Sequence, residues 1–571
     1  MCLAMEHWFY TPWLLLVPIL ALRLAGVRSH RAPPWSSRID IGLAGGLGVG
    51  TALVNAWVLA PRHIATVLSS DFSQVGTVAG SLVIGRPAPS LVLREPGAAI
   101  LPTLLSVPLG VMDGLALAAL ISSVVTGAAL YFWGRALLGR PAGVAAAVLA
   151  CAFVPLVVLP RYYAFYPEVT ACYACCAAAA ACAWRWRGLS ALACGGAGVG
   201  LALLSAPLGL LVGGVTLVGL LVLALIAPVR RIPARLGVLL LPVVLSYGVA
   251  RVVTPPDAKS LEAGVVVFIS DSRGLLLELR GWMLPPDLQP VGYGLLRRLA
   301  SDPFSPHRGA DRCYRWGRSG VHHIPGTLAS LALLSAAMHL PEDDGGWGAP
   351  QPHQGAAVAA QRVAGERARR HVHPWLFLSL ASLLVVGVGL RRRPAELVIL
   401  LLLLLPFALS TNTMRTTQVW ARYMMSAMLP VPVLLGSAWA MLAFGPARDE
   451  HAAGPRWRSS ASLLTLVVLA SLVLGLIPSW LAPDAPWRGE RFPTCGDQRG
   501  QFQGAARRLA ETTDRAGLLR AAQEPFTGRD PHKLCHLVLA VDLQRGIPFA
   551  GRIFSVGEAE PAPGRPPRDH P

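Results

Sequence analysis

The feature that most constrains this chain is a succession of apolar runs, each close to the length at which an α-helix crosses a bilayer. Spanning the hydrocarbon core takes roughly 20 mostly apolar residues, with about 17–25 tolerated. Runs of this kind lie near 12–28, 40–60, 112–134, 141–159, 167–184, 188–204, 207–227, 236–253, 374–390, 395–410, 424–444 and 460–481. Inside hydrocarbon every backbone N–H and C=O must be satisfied within the segment, so such runs fold as helices. The expected fold is all-α and polytopic, with about 12 transmembrane helices (11–13), because several runs sit near the lower length limit. Only 14% of the 571 residues are charged, against about a quarter in soluble chains. An ordinary soluble enzyme is thereby disfavoured.

The net charge of +19 comes mostly from arginine and would suggest nucleic acid if the chain were soluble. Its distribution says otherwise. One alternating set of short loops carries Arg23, Arg28, Arg31 and Arg38; Arg135 and Arg140; and Arg185 and Arg187. The set continues with Arg230, Arg231 and Arg235; Arg391, Arg392 and Arg393; and Arg448, Arg456 and Arg458. The opposite short loops hold few cations: Arg161 in one, and Arg415 and Arg422 in another. The positive-inside rule makes the basic set cytoplasmic. The basicity is then a topology signal, and no nucleic-acid partner is expected.

This orientation places 61–111, 254–373 and 482–571 outside. The expected organisation is an N-terminal anchor helix and basic cytoplasmic loop, 1–39, then an N-terminal membrane module, 40–253, whose first external loop is 61–111. A large external loop, 254–373, partly flexible, leads to a C-terminal membrane module, 374–481. An external tail domain, 482–571, is helical around Gln501–Ala522 and ends in a Pro-rich stretch. The segment before residue 12 has no basic n-region, which favours an uncleaved anchor over a cleavable signal. The 15-residue run Gly326–Leu340 is short for a span and reads as an interfacial or packed helix.

Candidate chemistry gathers at the outer membrane edge. Asp71, in Ser69-Ser70-Asp71-Phe72, is placed to act as a general base on an acceptor hydroxyl, or simply as a helix cap. Arg415, Arg422 and Tyr423 share one outer loop, where two arginines ask for an anionic partner such as a phosphate or a lipid headgroup. Arg161, Tyr162, Tyr163 and Glu168 lie at another outer corner, readable as a phosphate site or as an interfacial aromatic belt. Asp113, opening the third span, and the pair Arg94-Glu95 are secondary candidates. No metal ligand set is assigned. Cys172, Cys175 and Cys176 share a helical face, but small residues at helix interfaces account for them. His322-His323 lacks further ligands. Cys495 and Cys535 lie in the external tail, where a disulfide is permitted, with Cys313 as an alternative partner. No nucleotide-binding loop or nucleophile elbow occurs.

The order of features from Ser70 to about Leu211 resembles a known superfamily. Asp71 follows an early span, then come Gly85-Arg86-Pro87, Pro102 and Pro108. A span next closes on Trp133-Gly134-Arg135-Ala136-Leu137-Leu138-Gly139-Arg140-Pro141-Ala142-Gly143. Pro155, Gly200–Ser205, Arg422-Tyr423 and Leu429-Pro430 follow in order. Together these resemble the GT-C integral-membrane glycosyltransferases, in the branch of protein O-mannosyltransferases and aminoarabinose transferases.

The resemblance implies a polyprenyl-phosphate-linked sugar donor, an acceptor that is a lipid, glycan or protein, and transfer with inversion at the outer face. It implies a location in a bacterial inner membrane with the active face outward. Asp71 becomes the catalytic carboxylate. Arg422, Arg415, Arg161 and Tyr423 become the donor-phosphate residues. No cofactor is certain, and a divalent metal is compatible. The chain departs from the family in having Asp71-Phe72 where many members carry an acidic pair, and in the additional run at 12–28. A carrier of lipid-linked substrates and a non-catalytic membrane scaffold are the competing readings. The near absence of mid-span charge weighs against a carrier.

Overall fold

The computed structural model describes residues 37–58, 96–152, 166–253 apart from 206, 382–390, 429–444, 504–523 and 531–548. The described residues are helical, and no strand occurs among them. The helices are α1 (Arg38–Val58), α2 (Pro96–Leu109), α3 (Val111–Leu138), α4 (Arg140–Ala152), α5 (Tyr166–Trp186) and α6 (Leu189–Leu203). They continue with α7 (Pro207–Leu225), α8 (Ile232–Val253), α9 (Pro430–Phe444), α10 (Arg515–Gln523) and α11 (Pro531–Gln544). Further helical stretches occupy 382–390 and 504–512. Among the described residues one helix, α3, is long and apolar enough by itself to cross a bilayer, with 28 residues.

Helix α3 is the axis of the bundle and packs against α1, α2, α4, α5 and α9. The run 112–134 marks its apolar part, yet the helix continues to Leu138 and carries Arg135 inside its last turn. That extension is possible because Asp40 supplies a counter-charge to Arg135. Helix α2 packs on α3 and α5.

A second centre is α6, whose neighbours are α5, α7 and α8. Its glycines leave no side chain between backbones. Gly198 lies against Cys176 of α5, and Gly196 and Gly200 lie against Leu239 and Ser246 of α8. Small residues at a four-residue spacing permit this close crossing. Cys176 is buried here beside Thr216 of α7, and Cys172 lies beside Ser205. The thiols expected to pack at a helix interface therefore do so.

The chain runs up and down, so helix ends collect in two groups. One end of the bundle holds the start of α1, the end of α3, the starts of α4 and α6, the end of α5, and the α7–α8 turn. It carries Arg38, Arg135, Arg140, Arg185, Arg187, Arg230, Arg231 and Arg235. The opposite end holds the α2–α3 corner, the start of α5 and the α6–α7 connection.

Residues 504–523 and 531–547 form a small helical unit. Leu518, Leu537, Ala540 and Val541 make its core, backed by Leu509 and Leu519. Asp514 Oδ1 caps α10 by accepting the Gly517 N–H at 2.8 Å, the usual first-turn service of an Asp cap. Gln544 Nε2 donates to the carbonyls of Ala510 (3.1 Å) and Thr513 (2.6 Å), locking α11 across the first two helices.

Candidate functional site

The opposite end of the bundle holds buried carboxylates. Two helices open there on an acid. Asp113 lies in the first turn of α3 and Glu168 in the first turn of α5, and both are buried. The position is favourable to anions because the first N–H groups of a helix point outward and its dipole is positive there. Glu168 Oε2 has no hydrogen-bond partner among the described residues, although the atom is fully buried. A buried carboxyl oxygen in that state is costly unless something else meets it. Ser205, also buried, closes α6 at this end, its hydroxyl donating to the Leu201 carbonyl.

The corner between α2 and α3 is Gly110, with φ of +90°. A left-handed backbone favours glycine, and a second constraint acts on the same residue. A Cβ at Gly110 would meet Ile547 Cγ2 at 2.8 Å and Asp542 Oδ2 at 3.1 Å. The bare backbone thus lets the tail unit come up against the start of α3. Asp542 Oδ2 accepts the Val111 N–H at 2.8 Å, capping a helix that begins 431 positions earlier. Arg545 Nη2 donates to the Val107 carbonyl at 3.1 Å, and its Nη1 lies 3.3 Å from Asp542 Oδ1. Burial holds the Asp542 carboxyl above its ordinary value. The Val111 N–H and Arg545 oppose that shift, and the nearby Asp113 adds to it.

The opposite end contrasts sharply in its electrostatics. Asp40 Oδ1 accepts from Tyr131 Oη (2.6 Å), Arg135 Nε (3.0 Å) and Arg140 Nε (2.9 Å). Its Oδ2 accepts from Arg135 Nη2 (3.2 Å) and Arg140 Nη2 (3.3 Å). Arg135 also lies over the Trp186 ring, 5.8 Å from its centroid. Every oxygen lone pair of Asp40 is engaged, and this acid is a structural clasp.

Of the residues singled out in the sequence, Asp113 and Glu168 belong to the described structure and lie at the same end of the bundle. Asp71, Arg94, Glu95, Arg161, Tyr162, Tyr163, Arg415, Arg422 and Tyr423 lie outside the described residues, as do Cys313, His322, His323, Cys495 and 326–340. Among the described residues no group of three or more His, Cys, Asp or Glu side chains is placed to hold a metal ion. Asp113 and Glu168 are the oxygen donors of the kind a hard divalent cation takes. Asp542 was not legible as part of this end, because its local pattern, an Asp three residues before Arg545, is that of any solvated helix.

No family model matches the chain, and no curated protein matches it. Solved structures of an oligosaccharyltransferase from Archaeoglobus fulgidus are similar over most of its length. The AglB enzyme in complex with an inhibitory peptide and a dolichol-phosphate is 14% identical, with a TM-score of 0.41, covering 84% of this chain and 59% of that one. The form with Zn and sulfate is 13% identical, with a TM-score of 0.43, covering 85% and 58%. The form tethered to an acceptor peptide is 14% identical, with a TM-score of 0.39, covering 89% and 58%. The chain thus spans less than three fifths of the length of these structures.

Proposed function

We propose that this chain is a multi-pass membrane glycosyltransferase that moves a sugar from a polyprenyl-phosphate donor to an acceptor at the outer face. The observation that carries the reading is the division of charge between the two ends of the bundle. The arginine-rich end has its buried acid, Asp40, saturated by Tyr131, Arg135 and Arg140. The opposite end has Asp113 and Glu168 buried at helix starts, with a Glu168 oxygen unmet. A chain oriented by the positive-inside rule presents the first end to the cytoplasm and the second to the outside. The docking of 531–547 on the start of α3 supports the same sidedness, since the tail and that corner then share a compartment.

In this reading about 12 helices cross the membrane, of which α1, α3–α9 and the stretch 382–390 supply the described ones. The division into 1–39, 40–253, 254–373, 374–481 and 482–571 stands with it. Asp71 withdraws the proton of the acceptor hydroxyl as it attacks the sugar carbon, and the bond to the donor phosphate breaks on the far side, inverting the centre. Arg422, with Arg415, Arg161 and Tyr423, receives the negative charge that develops on the departing phosphate. Glu168 and Asp113 belong to the wall of the same outer cleft. They orient the acceptor or hold a divalent cation, and no step is assigned to such an ion.

The test is transfer from a radiolabelled polyprenyl-phosphate sugar by the purified full chain. Wild type should transfer, and Asp71→Asn should lose activity by about 10²–10⁴-fold, the contribution of a positioned base. Unchanged transfer in that variant would remove Asp71 from the mechanism. Absence of transfer with every donor, alongside lipid-linked substrate movement across vesicles, would favour a carrier.

A further inference from the structure

The arginine-rich end contains two clusters of cations, and among the described residues one of them has an anion. Around Asp40 the guanidinium groups of Arg135 and Arg140 are neutralised in part by a shared carboxylate. A second cluster, where the α5–α6 turn meets the α7–α8 turn, contains Arg187, Arg231 and Arg235. Among the described residues no carboxylate pairs with any of the three, the ion pairs there being those of Arg135, Arg140, Arg520 and Arg545.

Arg187 is the one described non-glycine residue with a positive φ, 54°. It terminates α5 by donating its N–H to the Ala183 carbonyl at 2.8 Å, at a position glycine usually fills. A left-handed conformation is disfavoured for an L-residue, and a glycine stands at the very next position, Gly188. The arginine is held where the backbone disfavours it.

Arg235 lies in the first turn of α8. Its Nη2 donates to the Leu223 carbonyl of α7 at 3.1 Å, while its buried Nε–H has no partner among the described residues. Leu189, two residues after Arg187, and Val238, three after Arg235, both pack on Ala193, which brings the two turns side by side. Burial and the like charges of Arg187 and Arg231 both disfavour the charged form of Arg235. Among the described residues these three cations have no acid, and one keeps a guanidinium edge unmet, so the cluster is suited to an anion. The surroundings define its character. Leu225, Ile226 and Val229 are exposed in the turn, and the apolar side chains Val218 and Val222 of α7 and Val244 and Leu245 of α8 are exposed behind them.

The geometry points to an acidic-phospholipid site at the arginine-rich end, in which Arg187, Arg231 and Arg235 hold the headgroup phosphate and the exposed faces of α7 and α8 carry the acyl chains. A guanidinium edge suits a phosphate oxygen pair, and basic pockets between helices at the cytoplasmic side are suited to anionic headgroups. The inference rests on the membrane reading above and is independent of the transferase chemistry.

The experiment titrates the detergent-solubilised full chain with dioleoyl phosphatidylglycerol, dioleoyl phosphatidylcholine or inorganic phosphate, reading bound lipid by native mass spectrometry. Phosphatidylglycerol should bind in preference to phosphatidylcholine. Arg187→Gln, Arg231→Gln and Arg235→Gln should each weaken it by about fivefold, the effect of one cation near an anionic surface. Arg520→Gln, in the tail unit, should leave it unchanged. Arg235→Lys keeps the charge and should retain most of the binding, which separates loss of the site from loss of the fold. Equal binding of the two lipids, or wild-type binding by the triple glutamine variant, would overturn the site. Saturation by inorganic phosphate with no lipid selectivity would overturn the lipid assignment. Alkaline-carbonate extraction checks the membrane reading separately: a chain that stays in the membrane yet shows no lipid preference refutes this inference alone.

Discussion

Asp40 Oδ1 lies 3.0 Å from Arg135 Nε, joining the first turn of α1 to the last turn of α3 across 95 positions of sequence. The carboxylate has no exposed surface and Arg135 is 6% exposed, whereas Arg140, the second cation on the same acid, is 36% exposed. Removing a partner from a buried pair strands the other charge, at about 3–5 kcal/mol. An exposed cation contributes roughly 0–1 kcal/mol. Asp40→Ala should therefore destabilise the bundle far more than Arg140→Gln. Thermal unfolding of the two variants in detergent reads the difference, and equal losses would mean that Arg140 shares the burden equally.

The clasp between Asp542 and the Val111 N–H should weaken as pH rises. Burial and the neighbouring Asp113 hold the Asp542 carboxyl above its ordinary value, even against Arg545. A carboxyl raised in the folded state stabilises docking fully below its unfolded pKa, about 3.9, and loses that contribution as pH climbs through the raised value. Docking of 531–547 should be tightest in acid and loosen above it. Asp542→Asn keeps an oxygen for the Val111 N–H and removes the titration, so its docking should be flat with pH. Protection of the Val111 amide against hydrogen exchange, followed from pH 4 to 8, distinguishes the two. A flat profile in the wild type would refute the assignment.

Close approach of α6 and α8 depends on the missing side chains of Gly196 and Gly200. A Cβ at Gly196 would run into the Leu239 backbone, which cannot yield as a flexible side chain would, whereas a Cβ at Gly237 meets nothing within 4 Å. Gly196→Ala should destabilise the bundle by about 1–3 kcal/mol, the usual cost of overpacking. Gly237→Ala should be neutral or slightly stabilising, since alanine is the better helix former. Thermal unfolding in detergent again supplies the comparison, and a tolerant Gly196→Ala would show that the helices part at little cost.

The helices were legible because apolar runs of bilayer length leave the backbone few alternatives, and the starts of α5, α6 and α7 fall within a residue or two of the runs that predicted them. Helix ends carrying charge were not. Arg135 reads as a loop residue from composition, yet lies inside α3 because Asp40, far off in sequence, neutralises it. The same holds for Asp542. Pairings between distant residues leave no local pattern, whereas burial of apolar surface does. At the candidate site, Glu168 was visible as an acid at an outer corner, but its unmet oxygen is a property of packing alone.

That unmet oxygen separates two roles for Glu168. As a residue of the outer cleft it meets substrate or a cation, and its removal should be felt in transfer. As a packing residue it only burdens the fold. Glu168→Gln keeps the shape and replaces the buried carboxyl with a neutral amide, so the bundle should be as stable as the wild type or more so. Transfer from a polyprenyl-phosphate sugar should nevertheless fall by at least about tenfold, a modest fraction of the 10²–10⁴ that a positioned acid or base provides. If the effect lies in acceptor KM, Glu168 orients the acceptor. If it lies in kcat, Glu168 acts as the bond to phosphate breaks. A stable variant with unchanged kcat and KM would remove Glu168 from the site and leave it a buried acid of the α5 start.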